Sequence, residues 1–149
     1  MYSGYVTINW IAEKEKIDVI EGYAVSLSDR SLLDIADAGS MLEYLIENSS
    51  NEIIKERVQL YSIDAGIVKC SSYMMYKLTG DKKYRIFGTA MANLENFFIS
   101  VSNSSDPKTV LKDNLNIIKE IGQELKKIRM ADLTKEKAER IFKLSTKLG

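Results

Sequence analysis

Histidine is absent from the 149 residues, and that removes imidazole general bases, Ser-His and Cys-His dyads, and every metal site that requires an imidazole ligand. There is one cysteine, Cys70, so neither an internal disulfide nor a thiolate zinc cage can form and the fold rests on its core. There is one proline, Pro107, and helices elsewhere end by other means. No stretch approaches the ~18 consecutive apolar residues needed to span a bilayer. Met1-Tyr2-Ser3-Gly4 carries no basic leader segment, so a cytoplasmic protein is expected. Net charge is also missing: 21 Lys and Arg balance 21 Asp and Glu, which gives no overall pull towards nucleic acid or anionic lipid.

The charges that are present are unevenly placed. Residues 1–60 hold 5 basic against 11 acidic side chains and residues 61–149 hold 16 against 10, so the halves carry −6 and +6. An acidic end and a basic end can align subunits or partners head to tail. The length suits one domain over residues 1–149.

Within it, residues 1–27 read differently from the rest. Val6, Ile8 and Trp10 alternate with polar residues, as do Ile17 with Val19 and Tyr23 with Val25 and Leu27. Branched and aromatic residues at a period of two predict a short β-hairpin or small β element. The rival is a helix over 7–20, with Ile8, Ile11 and Glu15 at helical spacing; Gly4 and Gly22 weigh against it.

From residue 28 to 149 the period is helical, and the expected fold is mainly α, a compact bundle of about five helices. Ser28 or Asp29 is the expected cap of the first, which closes at Asn48-Ser49-Ser50-Asn51. Over Asn51 to Thr79 two apolar stripes run in threes and fours. One is Ile54, Val58, Tyr61, Ala65, Val68, Met75, and the other is Leu60, Ile63, Ile67, Cys70, Met74, Leu78. A helix apolar on two sides is expected to pack on two sides, which makes it the central rod with Cys70 a small core residue. Gly80-Asp81 ends it. Tyr84, Phe87, Met91, Leu94, Phe98 and Val101 mark the next helix, and Asp106-Pro107 caps a further one that ends near Met130. A last helix covers about 134–147.

Three chemistries follow from the residues. Tyr73, Tyr76, Lys77, Lys82, Lys83, Tyr84 and Arg85 cluster about the turn at Gly80, cations for phosphate and rings for stacking, as a nucleic-acid backbone and its bases require. A second basic group, Lys126, Lys127, Arg129, Arg140, Lys143 and Lys147, lies towards the C-terminus, the last three spaced along one helix face. Capping and solubility are the plain alternative for these cations. Carboxylates three or four apart, including Glu43 with Glu47 and Glu52 with Glu56, are the remaining metal ligands. Such pairs resemble those of the MazG-type all-α magnesium pyrophosphohydrolases, which implies Mg²⁺-dependent cleavage of a nucleoside triphosphate, but that family's tandem acidic order is absent. A solvated acidic face is the plain alternative.

The reading favoured here is a non-enzymatic binding or assembly subunit without a cofactor, contacting RNA or single-stranded DNA or an acidic protein surface. In size and helical content the chain is similar to the small helical subunits of CRISPR effector complexes, which implies a place in a larger nucleoprotein assembly. The carboxylate enzyme is one alternative. Oligomerisation through an exposed Tyr84-to-Val101 stripe is the other.

Overall fold

The computed structural model describes the backbone of residues 2–149 and the side chains from Val6 onward. Six α-helices follow one another: α1 Tyr2–Ala36, α2 Ala38–Asn48, α3 Asn51–Thr79, α4 Lys82–Ser102, α5 Pro107–Leu125 and α6 Lys135–Ser145, with one 3-10 turn at Met130–Asp132 before the last. No strand occurs among the described residues, and no described helix is long and apolar enough to cross a membrane.

The β element expected over 1–27 is replaced, from Tyr2 on, by the first three quarters of α1. The alternation of Val6, Ile8 and Trp10 is also what a helix apolar on several sides produces, since residues two apart lie some 200° apart around it. Local pairs favour the helix: Lys14 lies over the Trp10 ring at 5.5 Å, and Glu13 and Lys16 are three apart. Against this, Gly22 costs only about 1 kcal/mol. Neither Ser28 nor Asp29 begins a helix. Ser28 lies mid-helix, fully buried, and Asp29 instead accepts a hydrogen bond from the Met130 amide at 3.0 Å, tying α1 to the 3-10 turn. The chain breaks later, at Asp37.

α1 and α3 run antiparallel. Asp34 and Asp37 line a groove with Arg57 to Asp64, and Leu27 lines the next with Ser62 to Ser71. Small buried side chains, Ala24, Ser28 and Ser31 on α1 with Ser71 and Ser72 on α3, suit a close approach of these helices. At the same rate of one residue for one, the end of α3 at Thr79 is level with the neighbourhood of residue 16 of α1. Every residue from Val6 to Lys16 is correspondingly exposed, whereas Ala24, Leu32 and Ile35 are buried. The first part of α1 is therefore an arm that projects past the bundle.

The other boundaries follow local chemistry. The Ser50 hydroxyl accepts from the Ile53 amide at the start of α3, and Asp81 from Lys83 at the start of α4. Gly80, at φ +69°, closes α3 in the left-handed conformation that glycine adopts without strain. Asp106 accepts from both the amide and the hydroxyl of Thr109, with Pro107 in the first turn. α5 stops at Leu125, earlier than its apolar spacing implies, but Ile128 and Met130 stay buried beyond it. The Tyr84-to-Val101 stripe of α4 and Leu111, Ile118, Ile121 and Leu125 of α5 form the core, where Phe98 packs its ring against Tyr61 and Phe97 with centroids 5.6 Å apart in each case.

On α3 only one of the two stripes is buried. Ile54, Val58, Tyr61, Ala65, Val68 and Met75 enter the core, whereas Leu60 is 54% and Ile63 58% exposed and Cys70 is exposed too. The central rod is thus covered on one side and bare on the other.

Candidate interaction surface

The side chains foreseen as a nucleic-acid site are partly engaged within the chain. At the turn after α3, Tyr84 is 7% exposed and belongs to the core. Lys83 pairs with Asp81 at 3.4 Å and its ammonium sits 5.1 Å from the Tyr84 ring centre. The Arg85 guanidinium covers the half-buried Tyr76 ring at 5.8 Å. Both rings therefore already carry a cation of their own chain. Lys77, Lys82 and Arg85 remain as exposed cations around the turn.

The C-terminal basic group is drawn together by carboxylates. Glu124 holds Arg140 at 3.0 Å and Lys127 at 3.4 Å, and Lys126 pairs with Asp37 across from α5 to the α1–α2 break at 3.0 Å. Arg129, Lys143 and Lys147 are exposed. The carboxylates considered as metal ligands do not converge. Glu43 is bonded to Lys119 at 2.7 Å, Glu47, Glu52 and Glu56 stand in solvent, and no group of three or more Asp, Glu or Cys able to hold a metal ion occurs among the described residues. The Tyr84-to-Val101 stripe, foreseen as an exposed dimer face, is buried within the chain.

What the structure exposes instead is a row of apolar side chains on α1 and α3, with Asp34, Asp37, Arg57 and Asp64 among them at one end. Two open grooves lie end to end along these helices, one of about 550 Å³ and one of about 450 Å³, and Ile63 lines both. Leu60 and Met41 flank the first, and Leu27, Ile67 and Cys70 the second. Along α1 the face continues outward through Tyr23 (68% exposed) and Val19 (72%), while the arm bears Trp10 (64%) on the other side of the helix. Lys69 is bonded to Glu95, which raises the lysine's pKa, chiefly through that hydrogen bond. In the first groove burial pushes the Asp64 carboxyl up, against the hydrogen bond from Ser31 that favours its charged form. Burial likewise raises the Tyr61 hydroxyl, with Arg57 opposing. These directions describe a partly dehydrated floor.

The second stripe of α3 was visible in the residue spacing, but its exposure was not, since spacing reports only that a face is apolar. Val6 and Trp10 on the arm, and Val19 just beyond it, have the period-two spacing of a strand. Compared with known proteins, the chain matches no family model, no curated protein and no solved structure.

Proposed function

We propose that this chain is a non-catalytic assembly subunit that grips a protein partner with the outer face of α1 and α3. One observation carries the reading: Leu60 and Ile63 on α3 and Leu27, Tyr23 and Val19 on α1 all stand exposed along this pair of helices, and the arm adds Val6, Ile8, Trp10 and Ile11. Monomeric proteins seldom leave an apolar patch larger than roughly 300–600 Å² in contact with water. A helix-in-groove contact uses such surfaces, with apolar anchors three and four residues apart. The exposed thiol of Cys70 suits a reducing compartment, and we place the assembly in the cytoplasm.

A photo-crosslinking amino acid in place of Tyr23, incorporated in the native host, tests the reading. One discrete protein adduct is expected. No adduct beyond that formed from an exposed position on α6, such as Glu136, would overturn it.

A second reading keeps nucleic acid, or an acidic protein surface, at the turn after α3. It is favoured by Lys77, Lys82 and Arg85, exposed cations brought together by the Gly80 turn. Phosphate contacts need such charges, and they lose affinity as salt rises.

A further inference from the structure

The outer face of α3 has an order as well as an apolar character. At about 100° per residue, Glu52, Glu56, Leu60, Ile63, Ile67 and Lys77 fall within one sector of roughly 100° and form a line down the helix. The line opens on two carboxylates, turns apolar and closes on one lysine. α1 runs the opposite way and brings its own acidic end to the same place. Asp34 and Asp37 stand beside Arg57 and Leu60, while Leu27 reaches Ile63 and Ile67. At the far end α1 adds nothing to the balance, since Glu13-Lys14-Glu15-Lys16 sums to zero.

Little within the chain answers the carboxylates. Asp37 is paired with Lys126 at 3.0 Å, and Arg30 and Arg57 lie near Asp64 and the Tyr61 hydroxyl respectively. Asp34, Glu52 and Glu56 are exposed and take part in no ion pair among the described residues. The second groove differs: its charged residues, Lys69 and Glu95, are bonded to each other, so an apolar cover there strands no charge.

We infer that the occupant of these grooves is an amphipathic helix of another protein, apolar along the side that meets Leu27, Ile63 and Ile67 and basic in the turn that lies over Asp34 and Glu56. The inference rests on the docking reading above and names its partner's chemistry. The carboxylates set the sign. They repel nucleic acid and anionic lipid, the other surfaces that an exposed apolar face can serve. The walls set the secondary structure. α1 and α3 use their amides and carbonyls internally and offer an extended strand no edge to pair with. A helix satisfies its own hydrogen bonds and lays its ridge between theirs. Length is defined too: Arg57 to Ser71, the stretch of α3 that lines the two grooves, is fifteen residues and about 21 Å, enough for about four turns of the occupant. A helix carries cations most favourably in its last turn, so the occupant lies antiparallel to α3 with its C-terminal end over the acidic end of the groove.

Two synthetic peptides of about 18 residues test this on the full chain by fluorescence anisotropy. Both carry leucine at helical spacing on one side and glutamine and alanine elsewhere. One ends in a turn with two lysines, the other in a turn with two glutamates. The lysine peptide should bind roughly tenfold more tightly at low salt, as two exposed charge pairs turn from attraction to repulsion, and the difference should shrink at high salt. Asp34→Lys with Glu56→Lys should reverse the order. Ile63→Glu should abolish binding of both peptides with helical circular dichroism unchanged, since Ile63 is already 58% exposed. Equal affinities, an order that the two lysines do not reverse, or binding that survives Ile63→Glu overturns the inference. If neither peptide binds while Tyr23 crosslinks to a protein in the host, the basic helix fails and the docking reading survives. If Tyr23 crosslinks to nothing, both fail.

Discussion

Two glycine-to-alanine substitutions in helices should act in opposite directions, and the size of each follows from what the new methyl group meets. At Gly22, on the exposed side of α1, an added Cβ has no atom within 4 Å. Alanine there gains only the helix preference, about 1 kcal/mol. At Gly122, on α5, the Cβ falls 2.4 Å from the carbonyl oxygen of Ala36 and 3.3 Å from its carbon. That oxygen belongs to backbone at the last residue of α1, so no side chain can rotate aside, and α1 and α5 must separate by most of an ångström. Overpacking of this kind costs typically ~1–3 kcal/mol, and rigid backbone puts this case towards the upper end. Offset by the same helix gain, Gly122→Ala should destabilise by about 2 kcal/mol. Urea unfolding at 25 °C, followed by circular dichroism, measures both. In melting temperature the changes should be roughly +3 °C and −6 °C for a chain of this length. A neutral or stabilising Gly122→Ala would refute the close crossing of α1 and α5, and with it the placement of the inner half of α1 against the bundle.

Other consequences are read in the same way. Ser28 is fully buried and its hydroxyl has no hydrogen-bond partner, so Ser28→Ala should raise stability by about 1 kcal/mol in urea titration. Phe98→Ala empties the centre of the core beside Tyr61 and should cost ~3–5 kcal/mol, a large share of the stability of an ordinary domain. Asp64 has its carboxyl pKa raised by burial, so the folded state holds its proton more tightly than the unfolded state. This favours folding in acid, and the advantage is lost as the pH rises through the folded-state value. Asp64→Asn should therefore melt higher than the parent at pH 7, and the two should converge as the pH falls below about 4. Lys82→Glu with Arg85→Glu should abolish any mobility shift with single-stranded RNA while circular dichroism is unchanged; an undiminished shift would remove the turn as a nucleic-acid site.

Where the chain states its own boundaries, they could be read from it. Asp106-Pro107, Gly80-Asp81 and the polar run at Asn48 to Asn51 each satisfy the free amides or carbonyls of a helix end with adjacent residues, so neighbouring letters suffice. The stripe from Tyr84 to Val101 was legible for a similar reason, since its spacing is unbroken and the face is buried. The arm was not. Val6, Ile8 and Trp10 satisfy both periods, and nothing in the chain packs on them to decide between strand and helix by burial. Ser28 and Asp29 resemble a cap in isolation, but Ser28 sits against the bundle and Asp29 serves an amide 101 residues away. The basic groups failed differently. Their cations were correctly seen as abundant, while the partners that engage them, Glu124 for Arg140 and Asp37 for Lys126, lie far away in sequence. Spacing can show which side of a helix is apolar. It does not show whether that side has been covered.

Amide hydrogen exchange over residues 6–16, measured in the full chain alone and in the assembly isolated from its native host, tests the central claim most directly. A helix covered by a protein partner opens rarely, while one standing bare in water exchanges quickly. This segment should exchange quickly in the lone chain and slowly in the assembly, while residues 24–36 are protected in both. Equal exchange of residues 6–16 in the two would contradict it.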